Sequence, residues 1–161
     1  MDTQPIPRVI VGVDRSIAGL AALRFAATEA RRRAVPLHAL RIQASIAVGD
    51  FTEIDAAFAD AFGGWPADLE IHRELLLGPV AEALVRRAVH PGDLLIVGTR
   101  GRGWWHACWA GSISRSCLRT ARCPVLIVPG PEMARATRYL RLRHSRDVWD
   151  RFDRETAPLC G

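Results

Sequence analysis

The spacing of apolar and polar positions changes several times along this chain, and each change marks an element. RVIVGVD (8–14) is a short β-branched run closed by Gly12 and Asp14, the pattern of a buried strand. The period then lengthens in RSIAGLAALRFAATEARRRA (15–34), where Leu20, Leu23 and Ala27 share one helical face and Arg24 and residues 29–33 face outward. Ser16 stands at the N-cap of this helix, and its late arginines suit the negative end of the helix dipole. VPLHALRIQ (35–43) predicts a second strand after a proline-marked turn. TEIDAAFADAF (52–62) has helical spacing and stops at Gly63 and Gly64. DLEIHREL (68–75) alternates as a strand exposed on one side does, and GPVAEALVRRAVH (78–90) predicts a helix with Pro79 in its first turn. DLLIVGT (93–99) is apolar enough for a strand covered on both faces. SISRSCLRTA (112–121) predicts a short helix, and CPVLIVP (123–129) a final strand.

Strands separated by helix-length crossovers imply a parallel sheet with helices on both faces. The expected fold is a doubly wound α/β domain, Rossmann-like or flavodoxin-like, with five strands in the order 3-2-1-4-5. It occupies residues 1–129, and 130–161 differ in character. Arg135, Arg138, Arg141, Arg143 and Arg146 follow one another there without an intervening acid. Tyr139, Leu142, Trp149 and Phe152 fit one helical face, so this segment reads as an arginine-rich helical appendage; a basic arm for nucleic acid or an acidic surface is the alternative.

The sheet order brings two stretches together. Ligands of open parallel sheets sit beyond the carboxyl ends of the strands where the order reverses, here between the first and fourth strands. Those strands end at Asp14 and Gly98. Asp14 can accept from ribose hydroxyls or hold a Mg²⁺ that also contacts phosphate. Gly98 and Gly101 let the backbone turn toward an anion, and Gly111 and Ser112 stand where free N–H groups of the next helix favour phosphate. Val13, Thr99, Arg100, Arg102, Ile113 and Ser114 flank these positions and complete the candidate set. The plainer account of the same residues is a strand-to-helix turn with a serine cap. No residue is assigned a catalytic role; His106 is taken as an exposed loop histidine.

Composition narrows the chemistry. The 161 residues include no lysine, so Schiff-base and P-loop lysine mechanisms are excluded, and the net charge of +5 comes from arginine. Such a bias is weak support for nucleic-acid binding, which is not expected. No apolar window is long enough to span a membrane, and MDTQPIPR lacks the apolar core of a leader, so a cytoplasmic location is expected. Cys108, Cys117, Cys123 and Cys160 form no C-x-x-C pair and are expected as free thiols.

Taken together, VIVGVDRS, VGTRGRG, AGSIS and CPVLIVP resemble the universal stress protein family over residues 8–129. Gly98, two residues, Gly101, nine residues, Gly111 and Ser112 match the spacing of that family's nucleotide-binding branch. The resemblance implies an adenine nucleotide, ATP first and ADP, AMP or cyclic AMP next, with Mg²⁺ on its phosphates. It implies that Asp14 lies against the nucleotide, that the glycine loop and Ser112 hold the phosphates, and that the chain forms a homodimer through Val125, Leu126, Ile127 and Val128. The expected role is a stress-response regulator whose surface depends on nucleotide, and which meets a protein partner of unknown identity. A slow Mg²⁺-dependent ATP hydrolase, and an interaction module that uses the arginine-rich tail without nucleotide, are the competing expectations. The sequence departs from the family in Trp104, Trp105 and Trp109, which crowd the spacer, and in its long tail.

Overall fold

The computed structural model describes residues 6–43, 51–99 and 112–130. The chain divides into two compact units, Met1–Gly130 and Pro131–Gly161, and the described residues all belong to the first. Elements alternate in chain order: β1 (Val9–Gly12), α1 (Ile17–Arg33), β2 (Leu37–Gln43), α2 (Thr52–Phe62), β3 (Ile71–Leu77), α3 (Val80–Arg87), β4 (Leu94–Thr99), α4 (Ser112–Thr120) and β5 (Val125–Pro129). The strands form one parallel sheet in the order β3-β2-β1-β4-β5, as the alternation predicts.

Two apolar layers fill the faces of the sheet. Val9, Val11, Leu37, Ala39 and Ile96 pack beneath α1 and α2 with Leu23, Ala27 and Phe58. Ile10, Leu40, Leu95 and Val97 pack with Leu84 of α3 and Cys117 of α4 on the other face. Alternate residues of the central strands thus enter opposite layers, which is why those strands read as continuous apolar runs. Ala27 is buried as expected, whereas Ala30, expected to face outward with residues 29–33, is fully buried because it follows Ala26 and Ala27 by one helical turn on the inner face.

The termini show where local chemistry decides. Ser16 caps α1, its side chain accepting from the Gly19 N–H, and Gly63 ends α2 with φ of 77°. Several boundaries shift by a few residues from the sequence expectation, and three of these have a plain local cause. β3 begins at Ile71, since Asp68 lies before it and pairs with Arg31 at 2.5 Å. Pro79 precedes α3 as its N-cap, in extended conformation. That helix stops at Arg87, because residues ahead of Pro91 turn back: the Asp93 N–H donates to the His90 carbonyl at 3.0 Å. At this amino-terminal edge of the sheet Arg8 forms a bidentate pair with the fully buried Asp93, at 3.1 and 2.7 Å, joining the starts of β1 and β4.

Candidate functional site

A cleft of about 240 Å³ opens at the carboxyl ends of β1 and β4, where the strand order reverses. Val13, Asp14, Gly98, Ser112, Ile113 and Ser114 line it, so six of the sequence-predicted residues converge on one space. Thr99 does not line it; it is buried at the end of β4, in register with Pro129. Arg100, Gly101, Arg102 and Gly111 lie outside the described residues, as do Trp104, Trp105, His106 and Trp109.

Asp14 is held by the first turn of α1. Its Oδ1 accepts from the Ser16 N–H at 2.9 Å and from the Ser16 hydroxyl, which in turn accepts from the Gly19 N–H at 3.0 Å. The carboxylate therefore sits over the positive end of α1, where a negative charge is favoured. Gly19 makes room for it: a Cβ there would lie 2.1 Å from Asp14 Oδ1 and 2.4 Å from the Asp14 carbonyl oxygen. Glycine is normally a costly residue inside a helix, by about 1 kcal/mol against alanine, and here close approach explains its presence.

Gly98 has a packing role of the same kind. A Cβ on it would stand 2.6 Å from the Ala18 carbonyl oxygen and 3.2 Å from the Gly19 nitrogen. The backbone of α1 thus passes directly over β4, and the first turn, against which Asp14 is held, is brought close to the strand leading to α4. On the far wall, the first residues of α4 present the N–H groups that a helix leaves without intrahelical partners. Those groups, with the exposed hydroxyl of Ser112, make an electropositive and donor-rich surface suited to an anion.

Sequence reasoning missed the second charged group of the cleft. Among the described lining residues Asp14 is the one acid and Arg41 the one base. Arg41 lies near the end of β2, ahead of Ile42 and Gln43, with Nη1 donating to the Val13 carbonyl at 3.4 Å, while its Nε is buried without a hydrogen-bond partner. The available signal was an arginine inside LHALRIQ, a run otherwise apolar or neutral. Gly12, Ile42, Val80, Leu84 and Val97 supply an apolar floor that sequence reading did not assign to the site.

Away from the cleft, His38 of β2 is buried and stacks on His72 of β3, with ring centroids 4.6 Å apart. Its Nδ1 lies 2.6 Å from Glu74 Oε1, and Arg87 donates to both Glu74 oxygens at 2.5 and 2.8 Å. Burial works to raise the Glu74 carboxyl, yet the Arg87 and His38 hydrogen bonds outweigh it and hold the group below the ordinary value. Burial lowers the His38 imidazole despite the neighbouring carboxylate. The pair is therefore an ionised carboxylate accepting from a neutral Nδ1–H imidazole. No cluster of three metal-ligating side chains occurs among the described residues. Of the four cysteines, Cys117 and Cys123 are described and free; burial pushes the Cys117 thiol up to about 11, which makes it a poor nucleophile. No helix of the described residues is long and apolar enough to cross a membrane.

Comparison with known proteins agrees with this architecture. Residues 90–129 match the universal stress protein family. Universal stress protein Rv2623 of Mycobacterium tuberculosis is 32% identical over 131 residues, covering 74% of this chain and 44% of that protein. Universal stress protein Rv2005c of the same organism is 31% identical over 138 residues, covering 78% of this chain and 46% of that protein. The chain thus spans less than half the length of these curated relatives. Among solved structures, a universal stress protein in complex with cAMP superposes with a TM-score of 0.58 at 25% identity, over 78% of this chain and 98% of that one. A universal stress protein from Archaeoglobus fulgidus in complex with dAMP shares the fold, with a TM-score of 0.52 at 19% identity over 77% of this chain and 98% of that one. Its sheet order, its matching segment and its relatives along most of its length thus agree in their likeness to the universal stress protein family.

Proposed function

We propose that the cleft binds an adenine nucleotide, ATP foremost, and that the protein is a nucleotide-dependent regulator of the stress response. One observation carries this reading: Asp14 and the amino terminus of α4 line the same cleft at the reversal of strand order. The phosphates take the N–H groups and hydroxyl at Ser112, and Asp14 accepts from the ribose hydroxyls. The apolar floor of Leu84, Val80 and Ile42 takes the flat faces of the base. The cAMP and dAMP held by the two structural neighbours support an adenine ligand.

Mg²⁺ characteristically takes one or two carboxylates together with substrate phosphates and water. The donor set fits that habit only through Asp14, which would hold the ion as the alternative to accepting from the ribose hydroxyls, and a bound ion would neutralise phosphate charge. The regulatory effect follows from satisfying the α4 end: occupied N–H groups favour one arrangement of the neighbouring surface. We further propose self-association through β5, an edge strand whose Val125, Leu126, Ile127 and Val128 are each half-buried.

Calorimetric titration with ATP and Mg²⁺, for the parent and for Ser112→Asp, tests the reading. A carboxylate at this position suits the helix dipole, so folding is retained while phosphate is repelled. Binding in the parent and its loss in the variant supports the assignment; equal binding in both contradicts it. Measuring ATP turnover in the parent and in Asp14→Asn separates a binding protein from a slow hydrolase.

A further inference from the structure

The charge on Arg41 is the poorest-satisfied group of the cleft. Arg8, Arg31, Arg73 and Arg87 each meet a carboxylate within 2.8 Å. Arg41 instead has the Val13 carbonyl at 3.4 Å, the far limit of a hydrogen bond, and a buried Nε with no acceptor. A buried donor without a partner is unfavourable and calls for an explanation. A side chain so held loses little by turning toward an acceptor that enters the cleft.

Its place in the sheet indicates what that acceptor is. Gly12 is in register with Leu40, and Val11 with Ile96. Continued along the strands, these registers set Arg41, Val13 and Gly98 in one row. At about 4.8 Å per strand, Arg41 stands roughly 10 Å from Gly98 and the α4 side of the cleft. Phosphates bound at Ser112 leave the base, not another phosphate, on the Arg41 side. The edges of adenine offer the ring nitrogens N1, N3 and N7, which accept and cannot donate.

We propose that Arg41 is a base-reading residue, whose guanidinium turns from the Val13 carbonyl to donate to a ring nitrogen of the bound purine. This rests on the adenine-nucleotide reading above and adds to it a side chain that fixes the base. The test is calorimetric titration of the full chain with Mg²⁺ and ATP, 1-deaza-ATP, 3-deaza-ATP or 7-deaza-ATP, for the parent and for Arg41→Met. In the parent, one of the three analogues binds about tenfold more weakly than ATP, the loss of a hydrogen bond to a charged donor. In Arg41→Met, ATP weakens by about the same factor and that analogue no longer differs from it. The unliganded variant melts at or above the parent temperature, since methionine removes the unpartnered donor; Arg41→Leu, which likewise lacks a donor, loses the same discrimination and serves if the methionine variant does not fold. Unchanged ATP affinity in the variants overturns the proposal. So does an equal loss for all four nucleotides, which would place Arg41 on the phosphates. Both results leave ATP binding to the parent intact, whereas no ATP binding to the parent ends the adenine reading and this proposal with it.

Discussion

The carbonyl oxygen of Ala18 lies 2.6 Å from where a Cβ on Gly98 would stand. Helix α1 therefore crosses β4 at a distance that only glycine permits, and the obstacle is backbone, which cannot swing aside. Gly98→Ala must displace the first turn of α1, with an expected loss of about 1–3 kcal/mol, the usual range for an overpacked site. Urea unfolding measures it. Gly130→Ala is the control: its Cβ would meet Ala18 Cβ at 3.5 Å, an ordinary contact, and stability should change little.

Ser16 joins helix stability to the site, since one hydroxyl both caps α1 and bonds Asp14. Ser16→Ala should cost about 1 kcal/mol of stability, as other N-cap losses do. It should also weaken nucleotide binding, because Asp14 loses a restraint. Ser16→Asp keeps a cap but sets a second carboxylate beside Asp14, so it should weaken binding more than it weakens the fold. Equal nucleotide affinity in all three proteins would remove Asp14 from the site.

Much of this arrangement was legible in the sequence. Helical and strand periods gave every element, and the sheet order then placed Asp14 and Ser112 beside one cleft, because parallel crossovers leave little choice. What stayed hidden depends on contact across strands. Arg41 carries no assignment in the sequence, and only the register with β1 sets it beside Val13. Gly19 reads as one more small helical residue until the Asp14 carboxylate is folded over it, and Gly98, legible as a turn-former, proves to be fixed by α1 as well. Buried His38 gave no signal, since its partner Glu74 comes from a separate strand.

That histidine makes stability depend on pH. Its folded value lies below the ordinary 6.5, so the unfolded chain binds more protons as pH falls from 6.5 toward the folded value. The stabilisation is complete above 6.5 and is lost through that window. Glu74, held below its ordinary 4.5, adds stability that is present above 4.5 and lost as pH falls through its own folded value. Unfolding free energy measured against pH should decline from near neutrality downward, and His38→Asn should flatten the upper part of that decline. An unchanged slope in the variant would assign the decline to other groups.

Ala34 ends α1 with φ of 52°, its N–H bonded to the Ala30 and Arg31 carbonyls. A side chain in the left-handed region costs about 1 kcal/mol, and glycine avoids the cost while giving back part of it as unfolded-chain entropy. Ala34→Gly should therefore raise stability by about 0.5 kcal/mol, read as a higher urea midpoint. A lower midpoint would show that the alanine is better accommodated than its dihedral indicates.

The most direct measurement of the central claim is amide chemical-shift mapping of the ¹⁵N-labelled protein as ATP and Mg²⁺ are added. Nucleotide in the cleft predicts the largest changes at Val13, Asp14, Gly98, Ser112 and Ile113, with Arg8 and Asp93 at the opposite, amino-terminal edge of the sheet nearly still. Changes centred elsewhere, or none at saturating nucleotide, would contradict it.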